Sequence, residues 1–303
     1  MPEVLQILRD KNIVEKSDGA EIVNLEAYGM PPALITKRDG STLYMTRDLA
    51  AAIYRKRAYD YYKNIYVVAY QQDLHFKQWF KVLELMGMDY AKDCVHVNFG
   101  MVSLEEGTMS TRKGKVVFLE DVLNKAVEMA AAIIEEKNPD LEDKGEVAKQ
   151  VGIGAIVFQE LFNNRIKDYT FSWQSAMAFE GETGPYVQYA HARANTLIEK
   201  ADDVTIDGTC DYALLGDEAS SLLARRIYQF PKAIVDAMEG NEPSRITRYV
   251  VALAQDFNKF YQQNHINVAD PALKKARLEL VCAAKQTIKN ALRLIGVQAP
   301  DKM

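Results

Sequence analysis

The sequence predicts an α/β domain followed by an all-helical domain, and three observations support this fold class. Strand and helix signals alternate before Leu119, whereas helical periodicity dominates after it. A length of 303 residues allows two ordinary hydrophobic cores. A segment containing Gly, Thr and Pro lies at 181–185. We therefore predict domains at 1–184 and 185–303.

The first elements are a short helix and three strand-like segments. Residues 2–11 predict the helix, and EIVNL (21–25) predicts a strand. ALITK (33–37) and STLYMT (41–46) flank Arg38-Asp39-Gly40, where the glycine can take a positive φ. This pattern predicts a hairpin.

A helix and then a strand–helix–strand unit follow. The helix is predicted over 48–62. IYVVAY (65–70) is a nearly continuous apolar run, which is typical of a strand covered on both faces. A helix over 74–86 ends before Gly87, and CVHVNFG (94–100) predicts the next strand. These lengths indicate a right-handed βαβ unit in a parallel, nucleotide-binding type of sheet.

The remainder of the chain predicts helices, several of which begin near a proline. Gly296 follows the last helix as a predicted C-cap. The predicted helices are 119–137, 143–163, 185–200, 212–239, 244–263 and 271–295.

Composition excludes several classes of protein. Hydrophobic residues make up 48% and charged residues 26%, which is typical of globular proteins. No run approaches the roughly 20 apolar residues of a membrane helix, and the first residues do not resemble a signal peptide. Cys94, Cys210 and Cys282 lie far apart, so we expect reduced thiols, a cytoplasmic location and no protein-bound metal.

Charge is unevenly distributed along the chain. The net charge is −5, yet residues 185–303 contain 15 Lys and Arg against 14 Asp and Glu. Within 259–293 the counts are seven and two. Such a segment can contact phosphate, or it can be an ordinary solvated helix surface.

Tyr44 and Asp48 form the first candidate site. Tyr44 is expected to leave a strand and Asp48 to begin the next helix. Ligands of open α/β sheets bind at the carboxyl ends of strands, so both side chains could face that crevice. A carboxylate pairs naturally with a guanidinium group. The alternative for Asp48 is a helix N-cap.

The segment YQQDLHFKQ (70–78) follows the predicted strand directly. Gln71 or Gln72 would emerge at the same strand end and could bond a polar substrate. His75 and Gln78 are one helical turn apart and could line a nucleotide site. Asp73 could serve only as a helix cap, and His75 could serve only in packing.

A polar loop bracketed by glycines follows the next strand. It contains Ser110, Thr111, Arg112, Lys113 and Lys115. Such loops can close over a substrate, and their cations and hydroxyls can stabilise charge on a pyrophosphate leaving group. The alternative is an exposed basic loop.

Tyr186, Tyr189 and Arg193 are spaced to share one helix face. Two aromatic rings and a guanidinium group suit stacking on unpaired bases and neutralisation of phosphate. The alternative is that the tyrosines belong to the hydrophobic core.

Several segments together closely resemble arginyl-tRNA synthetases, a family of class I aminoacyl-tRNA synthetases. LYMTRDLAAAIYR resembles that family's arginine-binding segment, VNFGMV its adenine-contacting segment, and MSTRKG its form of the KMSKS loop. GPYVQYAHAR and ALRLIGVQAPDKM are similar to the two ends of its anticodon-binding domain. The resemblance implies the second half of a class I Rossmann-type catalytic domain followed by a helical-bundle anticodon-binding domain.

The candidate residues thereby acquire expected roles. Those expected to bind arginine are Tyr44, Asp48 and Gln72. Those expected to contact ATP are His75, Gly100, Met101 and Val102. Those expected to act on the ATP phosphates are Ser110, Arg112 and Lys113. Those expected to contact tRNA are Tyr186, Tyr189, Arg193, Tyr261 and Met303.

The resemblance implies arginine–tRNA ligation, with arginine, Mg²⁺-bound ATP and arginine tRNA as partners. A His-x-Gly-His sequence, which supports the ATP phosphates in class I enzymes, is absent from the chain. We therefore expect a C-terminal portion, lacking the N-terminal tRNA-binding domain, that is catalytically incomplete alone. We expect the full-length enzyme to be monomeric, and an exposed half-sheet could make this portion self-associate.

Three alternative functions are compatible with the sequence. A non-catalytic tRNA-binding module or synthetase paralogue would also lack phosphate-binding residues. A cysteinyl-type synthetase would need a thiol-selecting zinc site, which the scattered cysteines disfavour. An unrelated nucleotide-binding α/β protein would bind ATP without tRNA.

Overall fold

A computed structural model describes residues 1–104, 117–201 and 203–303. The backbone divides into two compact units, Met1–Met101 and Val102–Met303. Each unit is described by itself below. The predicted domain boundary at 184/185 stays a prediction.

The first unit contains two small sheets and three helices. β1, β2 and β3 form an antiparallel sheet in that order, and β4 pairs with β5 in parallel. The predicted βαβ unit is therefore confirmed. The elements are α1 (Pro2–Asp10), β1 (Glu15–Ser17), β2 (Ala20–Val23), β3 (Ala33–Leu34), α2 (Tyr44–Tyr59), β4 (Asn64–Ala69), α3 (Asp73–Leu85) and β5 (Cys94–Phe99).

The core of this unit lies on one side of β4. Tyr66 packs edge-on against the fully buried Trp79 of α3, with 5.0 Å between ring centroids. On the opposite face of the strand, Ile65 is 47% and Val67 65% exposed. The prediction of a strand covered on both faces is therefore wrong. An apolar run does not say how many layers cover it, and successive strand residues point to opposite faces.

The predicted hairpin at 38–40 is present, but its second strand is short. Lys37 donates its backbone N–H to the Ser41 carbonyl, and Gly40 has a φ of +77°. Beyond Gly40, strand pairing is limited to a single bridge between Thr36 and Thr42. The strand expected through residue 46 therefore ends early.

Helix α2 begins four residues earlier than predicted, at Tyr44 instead of Asp48. Thr46 in its first turn donates its hydroxyl to the buried Ile35 carbonyl at 2.7 Å, which ties the helix start to the preceding segment. Leu43 is the N-cap. Asp48 thus lies inside the helix, and the helix-cap alternative for it is wrong.

The second unit is mostly helical. Most of its helices match the predicted ranges within one or two residues, and Gly296 has the positive φ (+74°) expected after the last one. The elements are β6 (Val102–Leu104), α4 (Leu119–Lys137), α5 (Lys144–Phe162), β7 (Tyr169–Phe171), α6 (Trp173–Ala176), α7 (Gly184–Glu199), α8 (Glu218–Tyr228), α9 (Phe230–Gly240), α10 (Ser244–Gln263) and α11 (Pro271–Leu294).

Two features of this unit differ from the prediction. The helix predicted over 212–239 is divided into a short 3-10 turn, α8 and α9. Asp217 starts α8 by accepting the backbone N–H of Ser220, and Pro231, which has no N–H to donate, lies in the first turn of α9. β7 pairs in parallel with β6 and was not predicted, because three residues are too few for a periodic signal.

Two hydrophobic clusters hold the second unit together. The larger one surrounds α10, whose Phe257 and Phe260 are fully buried beside α7, α8 and α11. The smaller one lies between α4 and α5 and includes Ile134 and Val151. None of the helices in the described ranges is long and apolar enough to cross a membrane.

Gly152 permits the close packing of α5 against α4. A Cβ atom at this position would lie 2.6 Å from the Ala126 carbonyl oxygen and 2.7 Å from its carbonyl carbon. We predict that Gly152→Ala lowers the free energy of unfolding by about 1–3 kcal/mol, because backbone atoms must move to admit the methyl group. Urea unfolding followed by circular dichroism measures this change.

Gly145→Ala is the matched control on the same helix, since a methyl group at this position would have no neighbouring atom within 4 Å. We expect this substitution to be neutral or to stabilise by up to about 1 kcal/mol. Equal unfolding midpoints for the two variants would contradict the close packing at Gly152.

Candidate functional site

Asp48 and His75 form a contact that connects α2 to α3. The Asp48 Oδ2 atom lies 2.6 Å from His75 Nε2. The carboxylate side chain remains 42% exposed and the imidazole 27%. His75 therefore holds one carboxylate oxygen in place and leaves the group open to a ligand. The sequence predicted separate ligands for these two residues, and the fold brings them together.

Tyr44 and Gln72 lie at the starts of the same two helices. Tyr44 is the first residue of α2 and is 75% exposed, with the Arg47 guanidinium 5.8 Å from its ring centroid. Gln72 is the exposed N-cap of α3, three residues before His75. Gln78, which was considered for a nucleotide site, donates instead to the Pro31 carbonyl at 2.8 Å.

A polar cluster at the carboxyl ends of β4 and β5 was not predicted. Asn98 donates its amide to both Asp73 oxygens, at 2.9 and 3.2 Å. His96 stacks on Phe76 at 4.0 Å and approaches Asp73 at 3.4 Å. The rule that ligands bind at strand ends could have found Asn98 near the end of β5 and Asp73 just after β4. Asp73 is the first residue of α3 and Gln72 is its N-cap, so the helix-cap alternative for Asp73 is wrong.

The segment expected to contact adenine follows β5. Gly100 is buried, and Met101, the last residue of the first unit, is 40% exposed. Val102 begins β6 in the second unit. Ser110, Arg112 and Lys113 lie outside the described residues.

Arg193 lies close to two tyrosine rings in the second unit. Its guanidinium carbon is 4.8 Å from the Tyr189 ring centroid and 5.3 Å from that of Tyr261. Tyr189 is 42% and Tyr261 39% exposed, so both side chains are partly accessible to solvent. Tyr189 and Arg193 come from α7 and Tyr261 from α10. The core alternative for Tyr189 is therefore wrong.

Asn258 fixes this group and was not predicted. Its Oδ1 atom accepts a hydrogen bond from Arg193 at 2.5 Å, and its Nδ2 donates to the Tyr186 hydroxyl at 2.9 Å. Tyr186 packs against the main core, as predicted by the alternative that the tyrosines belong to the hydrophobic core. The sequence could have indicated Asn258 as a member of this group, because it lies one helical turn before Tyr261.

Met303 lies in the same pocket as Arg193. The pocket has a volume of about 460 Å³. Its walls include Tyr189 and Arg193 of α7, Tyr261 of α10 and the segment before α5. Four of the five residues expected to contact tRNA are thus brought together, and Tyr186 supports them through Asn258.

Several of the basic residues between 259 and 293 are already paired. Of the seven basic residues within 259–293, four form ion pairs in the described part of the chain. The pairs are Lys259–Glu218, Lys274–Asp203, Lys275–Asp207 and Lys285–Asp301. The cations bordering the pocket are Arg193, Lys200 and Lys302. Among the described residues no group of three or more His, Cys, Asp or Glu could hold a metal ion.

Comparison with known families shows to which family the chain belongs. The family described as tRNA synthetases class I (R), catalytic domain, matches residues 1–173. The chain belongs to the arginyl-tRNA synthetase family. A second match, to the DALR anticodon binding domain, covers residues 187–303. The cysteinyl-type and unrelated nucleotide-binding alternatives are thereby excluded.

Curated relatives support the family assignment. The arginine–tRNA ligase of Clostridioides difficile is 59% identical over 303 residues, and that of Halothermothrix orenii is 57% identical. Each match covers 100% of this chain and 53% of the relative. The chain therefore spans about half the length of these ligases.

Solved structures share the fold of the whole chain. The Thermus thermophilus arginyl-tRNA synthetase matches with a TM-score of 0.88 at 27% identity, covering 100% of this chain and 58% of that one. The Plasmodium falciparum arginyl-tRNA synthetase matches with a TM-score of 0.86 at 22% identity, covering 100% and 52%. The predicted succession of a class I catalytic part and a helical anticodon-binding part is confirmed.

Proposed function

We propose that this chain carries the arginine-binding and anticodon-reading parts of an ATP-dependent arginine–tRNA ligase. The observation that carries the proposal is the pocket in which Tyr189, Arg193, Tyr261 and Met303 meet within a segment matched by an anticodon-binding family. The proposed domains are 1–184 for catalysis and 185–303 for the anticodon. A cytoplasmic location, favoured by the three unpaired cysteines, belongs to the same proposal.

The pocket offers the chemistry that unpaired bases require. Exposed tyrosine rings can stack on a base, and a guanidinium group can neutralise phosphate or bond a base edge. Arg193 is held by Asn258 before any ligand arrives, so little side-chain entropy is lost on binding. Met303 adds an apolar wall.

Asp48 is proposed to bind the guanidinium group of the substrate arginine. One of its oxygens contacts His75. An ionised carboxylate has about four acceptor sites, so the remaining sites of its two oxygens can accept the two parallel N–H groups of a guanidinium. Lysine lacks this planar fork, and an uncharged analogue would leave the carboxylate unpaired. Tyr44 and Gln72, at the starts of the same helices, complete the proposed arginine site.

ATP, with Mg²⁺ as its complexed ion, is the proposed second substrate. The arginine carboxylate would attack the α-phosphate and release pyrophosphate, and the arginyl group would then pass to the terminal ribose of tRNA. The proposed ATP contacts are His75, Gly100, Met101 and Val102, and those acting on its phosphates are Ser110, Arg112 and Lys113. Positioning and charge stabilisation supply most of such catalysis.

Binding of RNA stem–loops to this chain tests the anticodon proposal. All arginine codons have G in the middle, so a C at the anticodon centre is common to arginine tRNAs. We predict that changing this base to U weakens binding at least about tenfold, or 1.4 kcal/mol, measured by fluorescence anisotropy. Equal affinities would leave only generic phosphate binding.

Tyr261→Ala should weaken binding of the unchanged stem–loop by about 1–3 kcal/mol, because a stacking platform is lost. Tyr228→Ala is the matched control, since Tyr228 is 86% exposed and lies on α8 away from the pocket. Similar losses in both variants would contradict the assigned pocket.

Arginine-dependent exchange of pyrophosphate into ATP tests Asp48. The chain is joined for this purpose to the preceding half of the Clostridioides difficile relative. We predict that Asp48→Ala lowers kcat/KM for arginine by about 100-fold or more, because truncating one partner of a charged pair costs about 3 kcal/mol.

Asp60→Asn is the control for this experiment. Asp60 is also a carboxylate near α2, but it caps the opposite end of the helix and is exposed. We expect near-normal exchange in this variant. Near-normal exchange in Asp48→Ala as well would overturn the role assigned to Asp48.

A further inference from the structure

Helix α7 carries a second set of polar side chains, about 150° around the helix axis from the pocket face. Gln188 and His191 are both 0% exposed. Helical geometry places them on one side and Tyr189 and Arg193 on another. Buried polar groups are costly unless they bond a partner, so the contacts of this pair indicate what the pair does.

Gln188 joins α7 to two other parts of the chain. Its Nε2 amide donates to the Gln150 carbonyl of α5 at 3.0 Å and to the Gln298 carbonyl at 2.8 Å. Gly154 makes room for this amide, because a Cβ there would lie 2.8 Å from Gln188 Nε2 and 3.1 Å from Val297. The site is therefore shaped around the amide and the segment 297–303.

His191 bonds the same segment two residues further along. Its Nδ1 atom lies 2.9 Å from the Pro300 carbonyl oxygen. A carbonyl can only accept, so Nδ1 carries the hydrogen and the neutral ring suffices for this bond. Burial lowers the pKa of His191, despite the bond to Pro300.

Two further contacts continue along segment 297–303. Lys285 of α11 contacts Asp301 at 3.0 Å and donates to Asn195 of α7 at 2.5 Å. Asn138 donates its amide to the Met303 carbonyl at 3.2 Å. The Met303 side chain packs against the cluster between α4 and α5 while it borders the pocket.

We propose that Gln188 and His191 are positioning residues that hold segment 297–303 so that Met303 forms one wall of the RNA pocket. The inference rests on the proposed function of that pocket. Neither side chain is among the residues that border the pocket. They act on the bound RNA through Met303, and their loss affects base discrimination more than generic phosphate binding.

Release of residues 302 and 303 by a carboxypeptidase tests the positioning without RNA. Gln188→Met and His191→Leu should each speed this release about fivefold, the equivalent of one hydrogen bond of about 1 kcal/mol. His191→Asn should restore the normal rate, because its amide can donate from nearly the position of Nδ1. Gln286→Met, at an exposed glutamine of α11, is the control. Unchanged release in both test variants would overturn the proposal.

A double-mutant cycle with Met303→Ala tests the effect on RNA reading. The measured quantity is the ratio of affinities for the C-centred and U-centred stem–loops. Gln188→Met should lower this ratio about fivefold in the parent chain and leave it unchanged in the Met303→Ala background. A helix destabilised in general would instead give additive losses, and such additivity would overturn the proposal.

Failure of the proposed function and failure of the positioning role would give different results. A parent chain that binds both stem–loops equally contradicts the proposed function, and the carboxypeptidase rates still decide the positioning role. A parent chain that discriminates, combined with additive losses, contradicts only the positioning role. Circular dichroism of each variant verifies that the helices are retained.

Stability against pH gives a separate prediction for His191. Because its pKa is lowered in the folded state, the unfolded chain binds a proton first as pH falls below about 6.5. The contribution of neutral His191 to stability is therefore complete above that pH and is lost below it. Lys285 and Lys289 lower the pKa further, while Asp301 opposes them.

Between pH 6.5 and 5, the folded-to-unfolded ratio should fall more steeply in the parent chain than in His191→Asn. We expect this difference to reach up to about tenfold per pH unit. Urea unfolding midpoints across this range measure the difference. The other histidines are common to both proteins and cancel. Identical pH dependence would mean that His191 is not held neutral.

Discussion

The close approach of α7 to α5 is the constraint on which the proposed RNA pocket depends. A Cβ at Gly184 would lie 2.9 Å from the Cβ of Phe158 and 3.1 Å from the Gly154 carbonyl oxygen, so the first turn of α7 sits directly on α5. Thr183 caps this turn by accepting the Tyr186 backbone N–H. The position of every side chain along α7 follows from this contact, because a helix is rigid over its four turns or so.

From that contact α7 presents two chemically different sides. One side carries Tyr189 and Arg193 toward Tyr261 of α10 and remains accessible. The other side is buried and bonds backbone carbonyls through Gln188 and His191. The buried contacts and the proposed contacts with RNA thus involve different residues of one helix, and under the proposal above the buried set acts on the pocket through segment 297–303.

In the first unit, Asp48 is likewise held in position by a second residue. The carboxylate sits inside α2 and is oriented by His75 from α3, while its second oxygen remains available. Asp73 is likewise held by Asn98 from the neighbouring strand. In both cases a neighbouring side chain holds a carboxylate in place, so the position of the carboxylate is set before a ligand binds.

The sequence by itself determined the order of elements, most helix limits and the family. Helical periodicity and terminal residues such as Pro271 and Gly296 act locally, so they can be recognised without the fold. Motif order, including GPYVQYAHAR, identified the candidate residues of both sites. The short strand β7 and the exposure of one face of β4 were not predicted. A three-residue strand is too short to show a periodic pattern, and an apolar run does not indicate how many layers of structure cover it.

Only the tertiary structure decided which residues meet. The pairing of Asp48 with His75 joins residues 27 positions apart, and that of Gln188 with Gln298 joins residues 110 apart. Such contacts are set by how helices pack, which depends on glycines and volumes spread over the whole unit. Local sequence patterns do not encode that packing, and so the contact of His191 with the segment that ends at Met303 becomes visible only in the fold.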